Sequence, residues 1–418
     1  MSRRIALGAA LVVALAAQAH AAPATVPKDD RVWAAAEKAR PDQLKLLEQL
    51  VNIDSGTGDV EGARRALDVL VPRFRALGLT TELVPAEQPG HADNLVARIA
   101  GLGRGRILMI AHIDTVFGPG TAAKRPFRAD ATRAYGPGVG DEKGGVVEGL
   151  YALQILREVG FTDFKEIVFL IETSEERGSP GTRALIAKLV AEADVELNLE
   201  PGDAPDKLTV WRKGSATYHI EVKGRAAHAG VAPQEGRNAA VELINQLKKA
   251  DVFPKSGEGL TANLTLMQAG ARNNIIPEDA SAAINVRVRK KEDFAKVEQT
   301  LRRNAQTTSV PDTKVNVRLE PSFPPLPNNP ATEALADRAA AIYAGLGLQI
   351  GRGGNGGASE SALAADAGVP ALDGLGPVGG GFHSEAEYIE LKTVTPRLYL
   401  LAKLIMDLGR DPPARFKP

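Results

Sequence analysis

A chain of 418 residues exceeds what one ordinary hydrophobic core accommodates, so two domains are expected. Its 51 basic side chains balance 51 acidic ones, which argues against a nucleic-acid binder or a polybasic membrane-surface protein and favours small, roughly neutral partners. With no cysteine, stability rests on the core rather than on disulfides, and any metal must be held by His, Asp and Glu. Residues 1–21 read as a signal peptide, with Arg3 and Arg4, an apolar stretch from Ile5 to Ala17, and the Ala19-His20-Ala21 cleavage pattern. Export to the periplasm or the medium is therefore expected. That stretch is too short to cross a bilayer, and no later segment reaches the roughly eighteen uninterrupted apolar residues a span requires.

Helical spacing of apolar residues appears at 42–51 and again at 62–77, where Gly78 stops it. Strands follow at 94–99 and 107–111, then a helix at 144–159 and a strand at 167–171. The continuous apolar runs Ile107-Leu-Met-Ile110 and Ile167-Val-Phe-Leu-Ile171 suit strands buried on both faces. The fold class is thus α/β, a mostly parallel central sheet with helices on both faces, whose ligands collect at the carboxyl ends of the strands.

The polar residues at those ends carry the chemistry. The strand at 107–111 runs into His112-Ile-Asp114, whose i and i+2 side chains point to one side. Asp141 lies in a glycine-rich approach to the helix at 144–159, Glu175 and Glu176 follow Ile171, and Glu200 follows the strand at 195–199. His383 sits in a late glycine-rich loop, ahead of a last helix read as starting at Thr395-Pro396. Taken singly, His112 reads as a satisfied core histidine, Asp141 as a helix N-cap and Glu175-Glu176 as a solvated acidic loop. Together they supply two imidazoles and three carboxylates, with Glu175 to spare. Nitrogen and oxygen donors without thiolate suit a hydrolytic zinc pair, with manganese or cobalt as substitutes. Asp114 is placed to fix the tautomer of His112.

His112-x-Asp114, Gly140-Asp141-x-Lys143-Gly144-Gly145, Glu175-Glu176-x-Gly178-Ser179, Glu200-Pro201 and His383-Ser-x-x-Glu387 resemble, in order, the motifs of the zinc aminoacylase/carboxypeptidase family. The bacterial periplasmic glutamate carboxypeptidases are the nearest type. The resemblance implies one zinc held by His112 and Glu200, a second by Glu176 and His383, and Asp141 bridging both. It makes Glu175 the general base and Asp114 its companion in the catalytic set, and it implies a cis Asp141–Glu142 peptide. The implied activity is hydrolysis of the amide to a C-terminal amino acid, glutamate first, of a small N-acyl or peptidyl substrate. A dipeptidase or N-acyl-amino-acid deacylase is the alternative.

Between 213 and 322 the order becomes βαββαβ, the ferredoxin-like pattern, with strands at 216–222, 260–267, 282–288 and 314–318 and helices at 236–249 and 291–306. This divides the mature chain into catalytic segments 22–212 and 323–418 around an inserted domain. The resemblance implies a lid through which the chain dimerises. The lid would present His228 to the neighbouring subunit's site as a donor to the carbonyl oxyanion, and would hold the substrate carboxylate with Asn274 and Arg287. Read alone, these three are a loop histidine, a turn residue and a strand-edge charge. His91 and His219 are assigned to structure. Gly351-Arg-Gly353-Gly-Asn-Gly356 fits G-x-G-x-x-G, with Asp373 at the spacing of a ribose-binding acid, but no βαβ unit surrounds it. It is read as a glycine-rich loop approaching substrate. Glu360 stands where the nearest type has Asp, which bears on side-chain specificity.

Overall fold

The computed structural model describes residues 25–417, so the signal-peptide reading lies outside the described residues. A six-stranded sheet has the spatial order Thr80–Val84, Asn94–Ala100, Glu166–Glu172, Arg106–His112, Val195–Asn198, Ala371–Leu372. The two joints at the Thr80–Val84 edge are antiparallel and the other three are parallel, as an α/β architecture requires. Alternation along Arg106–His112 sorts its side chains. Ile107, Met109 and Ala111 face the larger core, formed with the helices Asp30–Val51, Lys143–Glu158 and Leu391–Arg410. Leu108 and Ile110 face a smaller core shared with the helix Arg183–Glu192.

Two helices begin earlier than their prolines suggest. The first covers Asp30–Val51 and runs through Pro41, because Asp29 caps it and Val32, Ala35, Ala36 and Ala39 form a buried stripe. The last covers Leu391–Arg410 and holds Pro396 inside it rather than in its first turn, because Leu391 and Val394 extend the buried face of Leu398 by a turn. In both, packing outweighs the lost backbone hydrogen bond.

The helix Lys143–Glu158 lies hard against the strand ends. A Cβ on Gly145 would meet the Leu199 carbonyl oxygen at 2.1 Å, and one on Gly149 would meet the Phe169 ring at 2.6 Å. Only glycine lets the helix start this close to Glu200. The preceding Asp141–Glu142 peptide is cis, as the resemblance implies.

A second sheet is wholly antiparallel, in the order Thr261–Ala269, Asp279–Val288, Gly214–Lys223, Lys314–Pro321. Helices Ala239–Ala250 and Glu292–Ala305 complete its own core around Tyr218, Leu243, Val286, Val297 and Leu301. Numbered along the chain, the strands stand in the order 2-3-1-4, the ferredoxin-like arrangement the βαββαβ reading requires. The glycine-rich strand Gly351–Asn355 pairs in parallel with Lys207–Arg212, and Gly354 lies against the Trp211 ring. Only a six-residue helix follows, and Asp373 is buried on Arg212, so no dinucleotide fold is present there.

Candidate functional site

The carboxyl ends of the central strands bring one cluster together. His112 closes its strand and is fully buried, Glu175 and Glu176 form a single 3-10 turn beyond Glu172, and Glu200 lies two residues past Asn198. Asp141 precedes the helix Lys143–Glu158, and His383 follows the strand Gly376–Gly380 with a positive φ of 60°. Asp141 stands between the two histidines. Its Oδ1 is 3.1 Å from His112 Nε2 and its Oδ2 is 3.2 Å from His383 Nε2. Glu200 Oε1 is 3.4 Å from His112 Nε2, and Glu176 Oε2 is 3.1 Å from His383 Nε2. All five residues expected to hold metal therefore meet in two groups sharing Asp141.

This donor set fits divalent cations. His112 Nε2 can carry one hydrogen, yet it is faced by Asp141, Glu200, Glu142 at 3.6 Å and Glu175 at 3.9 Å. Separations of 3.1–3.4 Å match those between donors placed tetrahedrally at Zn–N and Zn–O distances, roughly 3.3 Å. Proton affinities show the same shortage of positive charge. Burial, reinforced by neighbouring acids, raises Glu175 well above the carboxylate range and raises Glu176 to about 7 despite His383. Burial depresses the His112 imidazole, but Asp114, Asp141 and Glu200 outweigh it and hold its pKa well above the usual value. Hydrogen bonds to Asp141 and Glu176 raise His383 to about 10. Asp141 alone is lowered, since the two imidazoles overcome its burial.

Asp114 does more than the sequence suggested. Its backbone carbonyl, 3.0 Å from His112 Nδ1, is the nearer partner of the ring, with the carboxylate at 3.4 Å. The carboxylate accepts the backbone N–H groups of Glu175 and Glu176 at 3.1 and 3.3 Å and the Thr57 hydroxyl at 2.6 Å. It thus fixes the turn that aims both glutamates. Glu387 acts likewise on the glycine-rich turn, accepting from the N–H groups of Gly138, Gly140 and Asp141 at 2.9–3.0 Å. Its place in the last motif was legible, but its work was not. Glu142, which accepts the His112 N–H at 2.9 Å, and Arg212, 3.2 Å from Glu200 Oε2, were missed. Glu142 had a signal in its adjacency to Asp141; Arg212 had none.

The cluster opens into a chamber of about 590 Å³ walled by Arg287, Asn285, Ser215 and Phe323 on one side and Gly357 and Phe382 on the other. Among the described residues Arg287 hydrogen-bonds only uncharged oxygens, Asn285 Oδ1 at 3.1 Å and the Gly356 carbonyl at 3.3 Å. Burial lowers its pKa, so the chamber holds a cation suited to an anion. His228 and Asn274 are not in this chamber. They lie near the Lys223–Asp279 end of the inserted sheet, eight residues along the strand from Arg287, or roughly 27 Å. Nδ1 of His228 accepts the N–H groups of Gly230 and Val231, both at 3.1 Å, which leaves its proton on Nε2 as an exposed donor. A larger groove of about 800 Å³ opens at that same end, but no histidine lines it.

The model of peptidase family M20/M25/M40 matches residues 108–407, a span that includes every member of the cluster. Carboxypeptidase G2 of Pseudomonas sp. (strain RS-16) is 37% identical over 404 residues, covering 96% of this chain and 97% of that one. Among solved structures, a tripeptidase from Staphylococcus aureus superposes with a TM-score of 0.71 at 23% identity, covering 88% of this chain and 98% of its own. An M20 metallo-carboxypeptidase from Sulfolobus solfataricus gives 0.69 at 18% identity, covering 87% and 98%. These last two are likenesses of fold. A family model spanning most of the chain and a full-length relative at this identity establish that the chain belongs to peptidase family M20/M25/M40.

Proposed function

We propose that the protein is a dizinc exopeptidase that hydrolyses the amide joining an N-acyl or peptidyl group to a C-terminal amino acid, with glutamate the first candidate. The observation that carries this reading is the convergence of five metal donors with a sixth, spare carboxylate at the mouth of a chamber containing Arg287. His112 and Glu200 would hold one ion, Glu176 and His383 the other, and Asp141 would be shared between them. Zinc there would supply Lewis acidity to the scissile carbonyl and make water acidic enough to attack at neutral pH, and manganese or cobalt could substitute.

Glu175 is buried, and its Oε2 lies 3.9 Å from His112 Nε2, farther than either ligand acid. Its raised pKa suits a general base that takes the proton of the attacking water on a carboxylate oxygen and delivers it to the leaving nitrogen. Asp114 orients Glu175 through the backbone. Arg287 takes the substrate α-carboxylate as a charge-assisted pair. His228 and Asn274, too far from the cluster of their own chain, would serve that of a partner, so a homodimer formed through an inserted lid at 213–322 completes the site. The Nε2 proton of His228 would then stabilise the carbonyl oxyanion. The full-length likeness to carboxypeptidase G2 and the pairing of Arg287 with the donor cluster in one chamber support the exopeptidase reading. An exported protein, with residues 1–21 removed, is part of the proposal. Among the described residues no helix is long and apolar enough to cross a membrane.

The test is hydrolysis of a panel of N-acyl amino acids and short peptides by the purified mature protein, with and without chelator and restored zinc. Chelator-sensitive release of glutamate above other amino acids is expected. Release confined to other amino acids moves the function to a dipeptidase or N-acyl-amino-acid deacylase, and the absence of metal-dependent hydrolysis overturns the reading.

A further inference from the structure

Arg212 ends the strand Lys207–Arg212 and is only 4% exposed. Its Nε–H and Nη2–H donate to the two oxygens of Asp373, at 2.7 and 2.6 Å, in a planar fork. Nη2 also donates to Glu200 Oε2 at 3.2 Å, and Nη1 to Asn355 Oδ1 at 3.4 Å. Asp373 is itself fully buried and further fixed by the Ser359 hydroxyl. Glu200 is therefore held by both oxygens: Oε1 faces His112 Nε2, and Oε2 is tied to a guanidinium that cannot move without unpairing Asp373. Glu176, its counterpart in the other half of the cluster, has no arginine or lysine on its carboxylate among the described residues; its contact is His383.

We propose that Arg212, planted on Asp373, is a positioning residue that confines Glu200 to a single donor oxygen, so that the His112–Glu200 half of the centre keeps a coordination position open. A carboxylate with both oxygens free can swing to chelate an ion and close the position that water or a substrate oxygen needs. One oxygen held by a fixed hydrogen bond prevents this, and it sets the direction of the other. Arginine is suited to the task because one planar group makes two parallel bonds to Asp373 and still aims a hydrogen at Glu200; lysine, a point charge on a flexible stem, does not. With its Nε and Nη2 hydrogens committed, one Nη1 hydrogen turned to Asn355 and its charge matched by Asp373, Arg212 has less to offer a substrate anion than Arg287. The inference rests on the metal assignment proposed above.

The test is zinc binding and anomalous diffraction on the full chain. Arg212→Lys keeps the charge and loses the fork. The double variant Arg212→Met/Asp373→Leu removes both buried charges together and so avoids an unpaired ion that would unfold the protein. Wild type is expected to bind two ions. In crystals of both variants, at wild-type thermal stability, Glu200 should turn both oxygens to the ion near His112, and the affinity for that ion should change roughly 10-fold or more while the ion near Glu176 and His383 is unaffected. Glu200 still presenting one oxygen in the folded double variant, or an equal change in affinity at both ions, overturns the role of Arg212. Failure of the wild type to bind two ions overturns the metal assignment and this inference with it.

Discussion

At the scale of single residues, the site divides into side chains whose roles are written locally and side chains whose roles are not. His112 and Glu200 directly follow buried apolar runs, and Glu175 and Glu176 lie in the turn just past a third, so the strand ends put all four at one edge of the sheet. Asp373 is 161 residues from Arg212, and no local pattern couples them. The spare position of Glu175 gives a direct prediction. Glu175→Gln should lower kcat about 10²–10⁴-fold while keeping the zinc content of the wild type; loss of an ion in that variant would make Glu175 a ligand. Proton competition gives a second. With Glu176 raised to about 7 and His383 to about 10, the metal-free site holds a proton on each at pH 6.5, and zinc must displace both. By pH 8.5 Glu176 has lost its proton, whereas His383 keeps one at both pH values. Calorimetric titrations in buffers of differing ionisation enthalpy should therefore show more protons released per protein at pH 6.5 than at pH 8.5, with apparent affinity rising between them.

Elements were legible in type and order and many ends nearly so, but the starts of the first and last helices were not. The two helices that run through Pro41 and Pro396 start where burial, not local chemistry, sets the boundary, and burial depends on partners remote in sequence. The helix Lys143–Glu158 shows how an element positions chemistry. Its close seat on Leu199 places Asp141 and Glu200 on either side of the same His112 nitrogen. Gly145→Ala would drive a Cβ into the Leu199 carbonyl and toward Glu142, so the helix must lift off the strand. The expected cost is roughly 1–3 kcal/mol in thermal or denaturant unfolding of the metal-free protein. Weakened zinc uptake should accompany it, because Asp141 moves relative to Glu200. A variant of normal stability and normal zinc affinity would show that the close seat is unimportant.

At the scale of the whole molecule, the sequence order βαββαβ within an α/β frame was enough to identify two sheets, but not how far apart they hold the residues read as substrate-binding. Arg287 lies at the end of the inserted sheet that faces the cluster, and His228 and Asn274 lie near the other end. If a partner supplies the missing pair, two inactive variants should repair each other. A mixture of His228→Ala and Glu175→Gln chains, unfolded and refolded together or coexpressed, contains mixed dimers with one intact site. It should recover roughly a quarter of the wild-type rate, given two-fold symmetry and random pairing. No recovery in demonstrated mixed dimers would place His228 outside the reaction. The central claim, that five donors hold two ions and leave Glu175 free, is tested most directly by an anomalous difference map at the zinc edge from crystals of the zinc-loaded protein. The account predicts two peaks in each subunit, one beside His112 and Glu200 and one beside Glu176 and His383, with Asp141 touching both. A single peak, or a peak coordinated by Glu175, would contradict it.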